Sequence, residues 1–329
     1  MTAQFKILTE FNPVNQDEKQ EFIHDVRLGL SKVHKSLDSK YFYDEKGSEL
    51  FNQITHHPDY YLTNCELEIL DCHKDELAAL FKNQQLNLIE FGPGEGIKTR
   101  LVIDYFLQKS VTFNYFSIDV SKKYLNHMTD KFNKELPNLE AMALNSDYLN
   151  GIKWLSAKTS KRNLLMFLGS SLGNFNAADT RKFLDQLHEC LHPGDYVLIG
   201  FDLVKEIDIL LQAYNDSDGI TKAFNLNLLR RINNELGANF NLNSFNHYGT
   251  YNVFTKAMES YLVSNKDQLV YINAMKRSFH FKAFEAIHVE SSQKYSLSDV
   301  TRLARNSGFK VVKNFRDSKH YFLDSLWQV

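Results

Sequence analysis

This sequence predicts a doubly wound α/β sheet accompanied by a second, smaller α+β lobe. Three observations support that fold class. After Asn87, apolar Leu88 and Ile89 lead into Glu90, after which Gly92, Gly94 and Gly96 occupy every second position ahead of an apolar-periodic helix. Short apolar strands alternate with amphipathic helices from Cys65 to Asp202, and that pattern returns at the end of the chain. Between the two stretches the rhythm breaks, and a block of different texture is inserted.

Taken in order, Asn64 caps a helix that carries Glu66, Ile69 and Leu70 on to Phe81. The run over 86–90 reads as a strand buried on both faces, and the glycines behind it allow backbone approaches that a Cβ forbids. A helix follows over 99–108, then a strand over 112–119 and a helix over 121–132 with Ser121 as its N-cap. A short strand over 140–144 precedes Asp147. Next come a strand over 163–167, a helix over 177–190 and a strand over 196–202. After Asp202 the chain turns helical through Leu236. Ile207, Leu210, Leu211 and Tyr214 share one face there, and Phe224, Leu228, Leu229 and Ile232 share another. Residues 239–251 are rich in asparagine and aromatics and read as a loop, and 257–263 and 268–275 read as an antiparallel pair, with a further strand over 286–295. Ser298 then caps a helix that ends at Ser307-Gly308, and strands over 309–315 and 321–327 close the chain. The predicted division is therefore 65–202 with 295–329 as one domain, and 1–64 with 203–294 as the other.

Composition narrows the function. The 329 residues are 43% hydrophobic with a net charge of −2, enough for two modest cores and without the basic surface that nucleic acid or an anionic membrane attracts. Cys65, Cys72 and Cys190 lack metal-type spacing, so neither a zinc site nor a disulfide framework is expected. His56, His57, His192 and His280 have no partner at a metal or triad spacing, and no nucleophile elbow is present. No apolar run is long enough to span a bilayer, and the polar N-terminus lacks a signal-peptide core, so the expectation is a soluble cytoplasmic protein without a metal.

The strand ends carry the candidate chemistry. Glu90, Gly92, Gly94 and Lys98 form a strand–loop–helix cluster of the kind that cradles a nucleotide-type cofactor. Asp119 closes the next strand, where a carboxylate can accept both ribose hydroxyls. Asp147 and Tyr148 follow the third strand, suited to an adenine amino group and ring. The loop from Phe167 to Phe175 brings Gly169, two serines and Asn174 to the carboxyl edge of the sheet, where open α/β sheets bind ligands. A closing strand pair on a parallel sheet is a familiar ending of class I methyltransferases, which disfavours a dinucleotide oxidoreductase.

Several longer strings point further: Lys40-Tyr41-Phe42-Tyr43-Asp44, Pro58-Asp59-Tyr60-Tyr61, Glu90-Phe91-Gly92, Lys98-Thr99-Arg100, Asp202-Leu203-Val204-Lys205, Ala213-Tyr214-Asn215-Asp216 and Glu290-Ser291-Ser292-Gln293-Lys294. In these strings, and in their order, the chain resembles the histidine-specific Nα-methyltransferases of ergothioneine biosynthesis. The resemblance implies a class I (Rossmann-like) methyltransferase domain with an α+β substrate-binding domain. It implies S-adenosylmethionine as cofactor, and trimethylation of L-histidine to hercynine. Gly92, Lys98, Asp119, Asp147 and Tyr148 would then meet the cofactor. Tyr43, Tyr60, Gly169, Asn174 and Tyr214 would meet the amino acid, with Glu290 and Ser292 on its imidazole.

Those residue types suit the reaction. In-line displacement at a sulfonium methyl needs a neutral, aligned amine more than it needs a metal or a covalent enzyme intermediate. Tyr43, Gly169 and Asn174 are the candidates for holding that amine, and Asn174 and Tyr214 offer neutral donors to the α-carboxylate. At one position the chain departs from the family pattern: Ser260 stands where a methionine is expected, with Met258 two residues away. That leaves open the same reaction on another amino acid, such as tryptophan or a derivative, and also a non-catalytic small-molecule-binding homologue.

Overall fold

In the computed structural model, which describes residues 6–8, 18–82 and 84–329, the chain divides into two compact units. The first contains the strand Lys6–Leu8 together with Asn64–Val204 and Tyr295–Val329, and the second contains 18–63 and Lys205–Lys294. The expected placement of 1–64 with the second unit can be followed only from residue 18, because 1–5 and 9–17 lie outside the described residues. Lys6–Leu8 belongs to the first unit, where it pairs in parallel with Ala141–Asn145.

The first unit is built on an eight-stranded sheet. Its order is Lys6–Leu8, Ala141–Asn145, Thr112–Asp119, Gln85–Phe91, Arg162–Phe167, Tyr196–Asp202, Phe322–Gln328 and Lys310–Arg316. The first six strands are parallel; Phe322–Gln328 runs against them, and Lys310–Arg316, antiparallel to Phe322–Gln328, runs their way again. Strand order turns back at Gln85–Phe91: the chain builds outward from it through Thr112–Asp119 and Ala141–Asn145 on one side, then crosses to Arg162–Phe167 on the other, which is where carboxyl-end loops of such sheets diverge and open a crevice. Leu86, Leu88 and Ile89 are fully buried, as a central parallel strand covered on both faces requires. One core cluster gathers Ile89, Phe91, Ile118, Phe167, Leu184, Ile199 and Trp327.

Local signals set the helix starts, with two shifts from expectation. The first helix of this unit spans Tyr61–Leu80 and begins ahead of Asn64, so Asn64 is not its cap. The last helix, Leu297–Asn306, is capped by Ser296 rather than Ser298, and the reciprocal bonds of Ser296 and Asp299 close a capping box. Ser121 caps Lys122–Glu135 as expected, and Asn176 caps Ala177–Cys190.

The second unit packs helices Glu18–Ser31, Glu45–His56, Ile207–Tyr214 and Ile220–Leu236 with two small sheets. Lys35–Ser36, Ala286–Gln293, Ala257–Ser264 and Phe245–Asn252 form a four-stranded sheet; Gln268–Ile272 and Arg277–Phe281 form a hairpin. Two expectations are corrected here. Ala257–Ser264 pairs with its neighbours in the four-stranded sheet, and Gln268–Ile272 pairs with Arg277–Phe281 instead. The segment read as a loop contains a strand, Phe245–Asn252, whose asparagine, histidine and glycine content masks its alternation. Phe22, Val26, Leu50 and Ile54 from the early helices share one core with Phe224, Leu228, Leu262 and Ile287.

Candidate active site

In the first unit, all three glycines of the loop after Gln85–Phe91 adopt left-handed backbone, with φ of 61°, 54° and 71° at Gly92, Gly94 and Gly96. An L side chain there would be strained. At Gly92 a Cβ would also come within 2.8 Å of the Tyr148 hydroxyl. Tyr148 stacks on Phe91, with ring centroids 4.7 Å apart and planes 13° from parallel. Asp119 ends its strand with one carboxylate oxygen accepting the Ser121 N–H at 2.7 Å, and burial pushes its carboxyl up to about 6. Glu90 is buried, accepts the Tyr115 hydroxyl at 2.8 Å and is pushed by burial up to about 7. Gly92, Tyr148, Glu90 and Asp119 therefore gather at the carboxyl edge of the sheet. Asp147 caps the helix Tyr148–Ser156 by accepting the Asn150 N–H at 2.9 Å. Gly94 faces open space.

A second cluster in the same unit was not visible in the sequence. Glu66, on the Tyr61–Leu80 helix, is fully buried and accepts the Gly169 N–H with both oxygens, at 2.8 and 2.9 Å. Lys98 forms an ion pair with the same carboxylate. Asp324 is equally buried; burial, together with the nearby charge of Glu66, holds its carboxyl well above the usual range. Gly200 makes room for this group, since a Cβ there would lie 2.3 Å from a Glu66 oxygen. The Gly169 loop is thus held from below by a carboxylate shared with Lys98. Gly169 and Ser170 are both left-handed, and the Ser170 hydroxyl accepts the Asp202 N–H at 3.0 Å. Asn174 ends the following helical turn, Ser171–Asn174, with a half-exposed side chain.

In the second unit, a β-bulge decides which way the candidate substrate residues face. Ala286–Gln293 pairs with Ala257–Ser264 so that Ile287 opposes Leu262, yet Glu290 opposes Ser260 and Ser292 opposes Met258. Three residues on one strand thus match two on the other, and the extra residue turns Glu290 and Ser292 onto the face of Ser260 and Met258. The Ser260 hydroxyl is bonded to Glu290, and crowding by protein atoms pushes the Glu290 carboxyl up to about 7, opposed by the charge of Lys294. The Tyr214 hydroxyl, expected to face a carboxylate, here donates to Ser292 Oγ at 2.8 Å. Lys294 Nζ donates to both oxygens, at 2.8 Å to Tyr214 and 2.9 Å to Ser292. Tyr60, Tyr214 and Met258 belong to one apolar cluster, and Phe51 links Tyr60 to Tyr43 through edge-to-face rings. Asn215 and Asp216 have structural duties: Asn215 brackets the Gly249 backbone, and Asp216 accepts the N–H groups of Ile220 and Thr221.

Within each unit the structure brings the expected residues together: Glu90, Gly92, Asp119 and Tyr148 in one place, Lys98 with Gly169 in another, and Tyr60, Tyr214, Glu290 and Ser292 in the second unit. Sequence reasoning missed the roles of Glu66, Asp324 and Lys294. The available signals were a carboxylate inside the apolar run 322–327 and a lysine in alternation with Glu290 and Ser292.

These residues fit a nucleoside cofactor with a charged amino-acid end: a backbone cradle at Gly92, a carboxyl group at Asp119 and an aromatic at Tyr148. Among the described residues no helix is long and apolar enough to cross a membrane, and no group of His, Cys, Asp and Glu could hold a metal ion. Residues 22–329 match the model of the family described as "Histidine-specific methyltransferase, SAM-dependent". The histidine N-alpha-methyltransferase of Mycolicibacterium smegmatis is 35% identical over 286 residues, covering 87% of this chain and 88% of that protein. A protein of the same name from Mycobacterium tuberculosis is 35% identical over 82% of this chain and 83% of its own. Ergothioneine biosynthesis protein 1 of Neurospora crassa is 30% identical over 89% of this chain, which spans 33% of that longer protein. The chain belongs to the histidine-specific, S-adenosylmethionine-dependent methyltransferase family, with a class I α/β fold.

Proposed function

We propose that the protein transfers methyl groups from S-adenosylmethionine to the α-amino nitrogen of L-histidine, three times in succession, giving hercynine. The observation that carries this reading is the bulged strand of the second unit. It presents Glu290 and Ser292 side by side, the pairing that suits an imidazole with one nitrogen to be accepted from and one to be donated to. Met258 lies on the same face, so Ser260 does not remove the thioether from that surface.

Gly92, Gly94, Lys98, Asp119, Asp147 and Tyr148 would hold the cofactor, with Glu90 behind the loop. When bound, S-adenosylmethionine supplies an electrophilic methyl on sulfur. Tyr43 and Tyr60 would hold the amine and the carboxylate of the amino acid. Neutral tyrosine hydroxyls and amides can orient an amine without fixing a charge on it, which repeated methylation requires. The nitrogen gives up a proton after the first and second transfers and regains a lone pair. The third leaves a quaternary ammonium with neither, and the series stops.

Mass spectrometry after incubation with S-adenosylmethionine and a mixture of free amino acids tests this. Trimethylated histidine is expected. Methylation of a different amino acid would overturn the substrate, and no methylation of any would overturn the activity.

A further inference from the structure

Lys294 is fully buried, immediately beyond a strand that carries two candidate substrate residues. An ammonium has three donors and no acceptor, so each partner must offer it a lone pair. Here those partners are Tyr214 and Ser292. The Ser292 oxygen already accepts the Tyr214 proton at 2.8 Å and accepts from Lys294 at 2.9 Å. Both of its lone pairs are then occupied, and the only thing it can still offer a ligand is its own proton.

We propose that Lys294 is a positioning residue that makes Ser292 a one-way proton donor, so that the substrate ring is bound with a bare nitrogen facing Ser292 and an N–H facing Glu290. The proposal rests on the histidine reading above and sharpens it. It makes the site selective for the neutral imidazole ring: an imidazolium presents no bare nitrogen, and an indole presents only an N–H. It also reassigns Tyr214, whose proton is given to Ser292, from reading the α-carboxylate to holding the donor chain Lys294–Tyr214–Ser292. The buried charge adds to the effect, because an ammonium beside the pocket disfavours a second cation on the ring.

The test needs no variant in its first arm. Ring nitrogen-15-labelled histidine, bound to the wild-type protein with S-adenosylhomocysteine, should show one protonated and one unprotonated ring nitrogen by NMR. Two protonated nitrogens would overturn the proposal, because Ser292 would then be accepting.

The second arm uses Lys294→Met. The KM for histidine should rise at least about 10-fold with kcat changed less than about 3-fold, and preference for histidine over tryptophan should shrink. Affinity for S-adenosylhomocysteine, read by calorimetry, should stay unchanged. In a Ser292→Ala background the same change should raise KM less than about 2-fold, because the residue acts through Ser292. Additive effects, or an unaltered KM in Lys294→Met, would overturn it. A wild-type protein that leaves histidine unmethylated would instead overturn the reading beneath it.

Discussion

At Gly92 the backbone and one side chain set the same constraint. Its φ is 61°, and a Cβ would lie 2.8 Å from the Tyr148 hydroxyl. Gly92→Ala should therefore weaken S-adenosylhomocysteine binding by roughly 10-fold, about 1.4 kcal/mol, measured by calorimetry. Adding Tyr148→Phe should recover part of that loss by removing the clashing oxygen. Glu90 makes the opposite kind of prediction. Its carboxyl is raised to about 7 by burial, so the folded state binds a proton more tightly than the unfolded chain does. The resulting stability is complete at acidic pH and is lost as pH rises from about 4.5 through 7. Glu90→Gln should consequently raise the melting temperature at pH 8, by an effect on the order of 1–3 kcal/mol, and should do little at pH 5. Thermal unfolding at the two pH values checks it.

At the scale of elements, the bulge in Ala286–Gln293 is the feature on which the amino-acid residues depend. Because side chains alternate along a strand, pairing the intact sequence without the bulge would set Glu290 opposite Glu259 and turn it and Ser292 to the other face. Deleting Val289 takes out the extra residue and leaves Glu290 opposite Ser260 in a regular ladder, so histidine methylation, read by mass spectrometry, should survive the deletion. Val289→Ala, which keeps the bulge, should retain activity at a loss of about 2 kcal/mol in stability. The alternating strands and helices of the first unit were legible in the sequence because the strands are largely buried apolar runs and the helices carry one apolar face: Thr112–Asp119, Ala177–Cys190 and Tyr196–Asp202 fall where the pattern puts them. Helices Glu18–Ser31 and Glu45–His56 were not legible. The second carries Gly47 in its first turn, where a Cβ would sit 1.7 Å from the Phe42 carbonyl, so a helix-breaking residue marks a helix start. Loop glycines and strand-end carboxylates could be read locally. Glu66, Asp324 and Lys294 acquire their roles only when distant segments meet, which no local pattern encodes.

At the scale of the molecule, each unit is assembled from separated stretches of chain. The core of the second unit mixes Phe22, Val26, Leu50 and Ile54 with Phe224, Leu228, Leu262 and Ile287. A fragment spanning 205–294 would expose that apolar surface, and it should show neither cooperative unfolding nor dispersed amide resonances by NMR.

The same interleaving bears on how the protein is made. During synthesis on the ribosome, Phe22 and Val26 emerge long before Ile287, which completes their packing. The first sheet likewise waits for Phe322–Gln328 to flank Tyr196–Asp202. Greasy surface therefore stays uncovered until Ile287 and Phe322–Gln328 have emerged, which makes the nascent chain a natural client for chaperones.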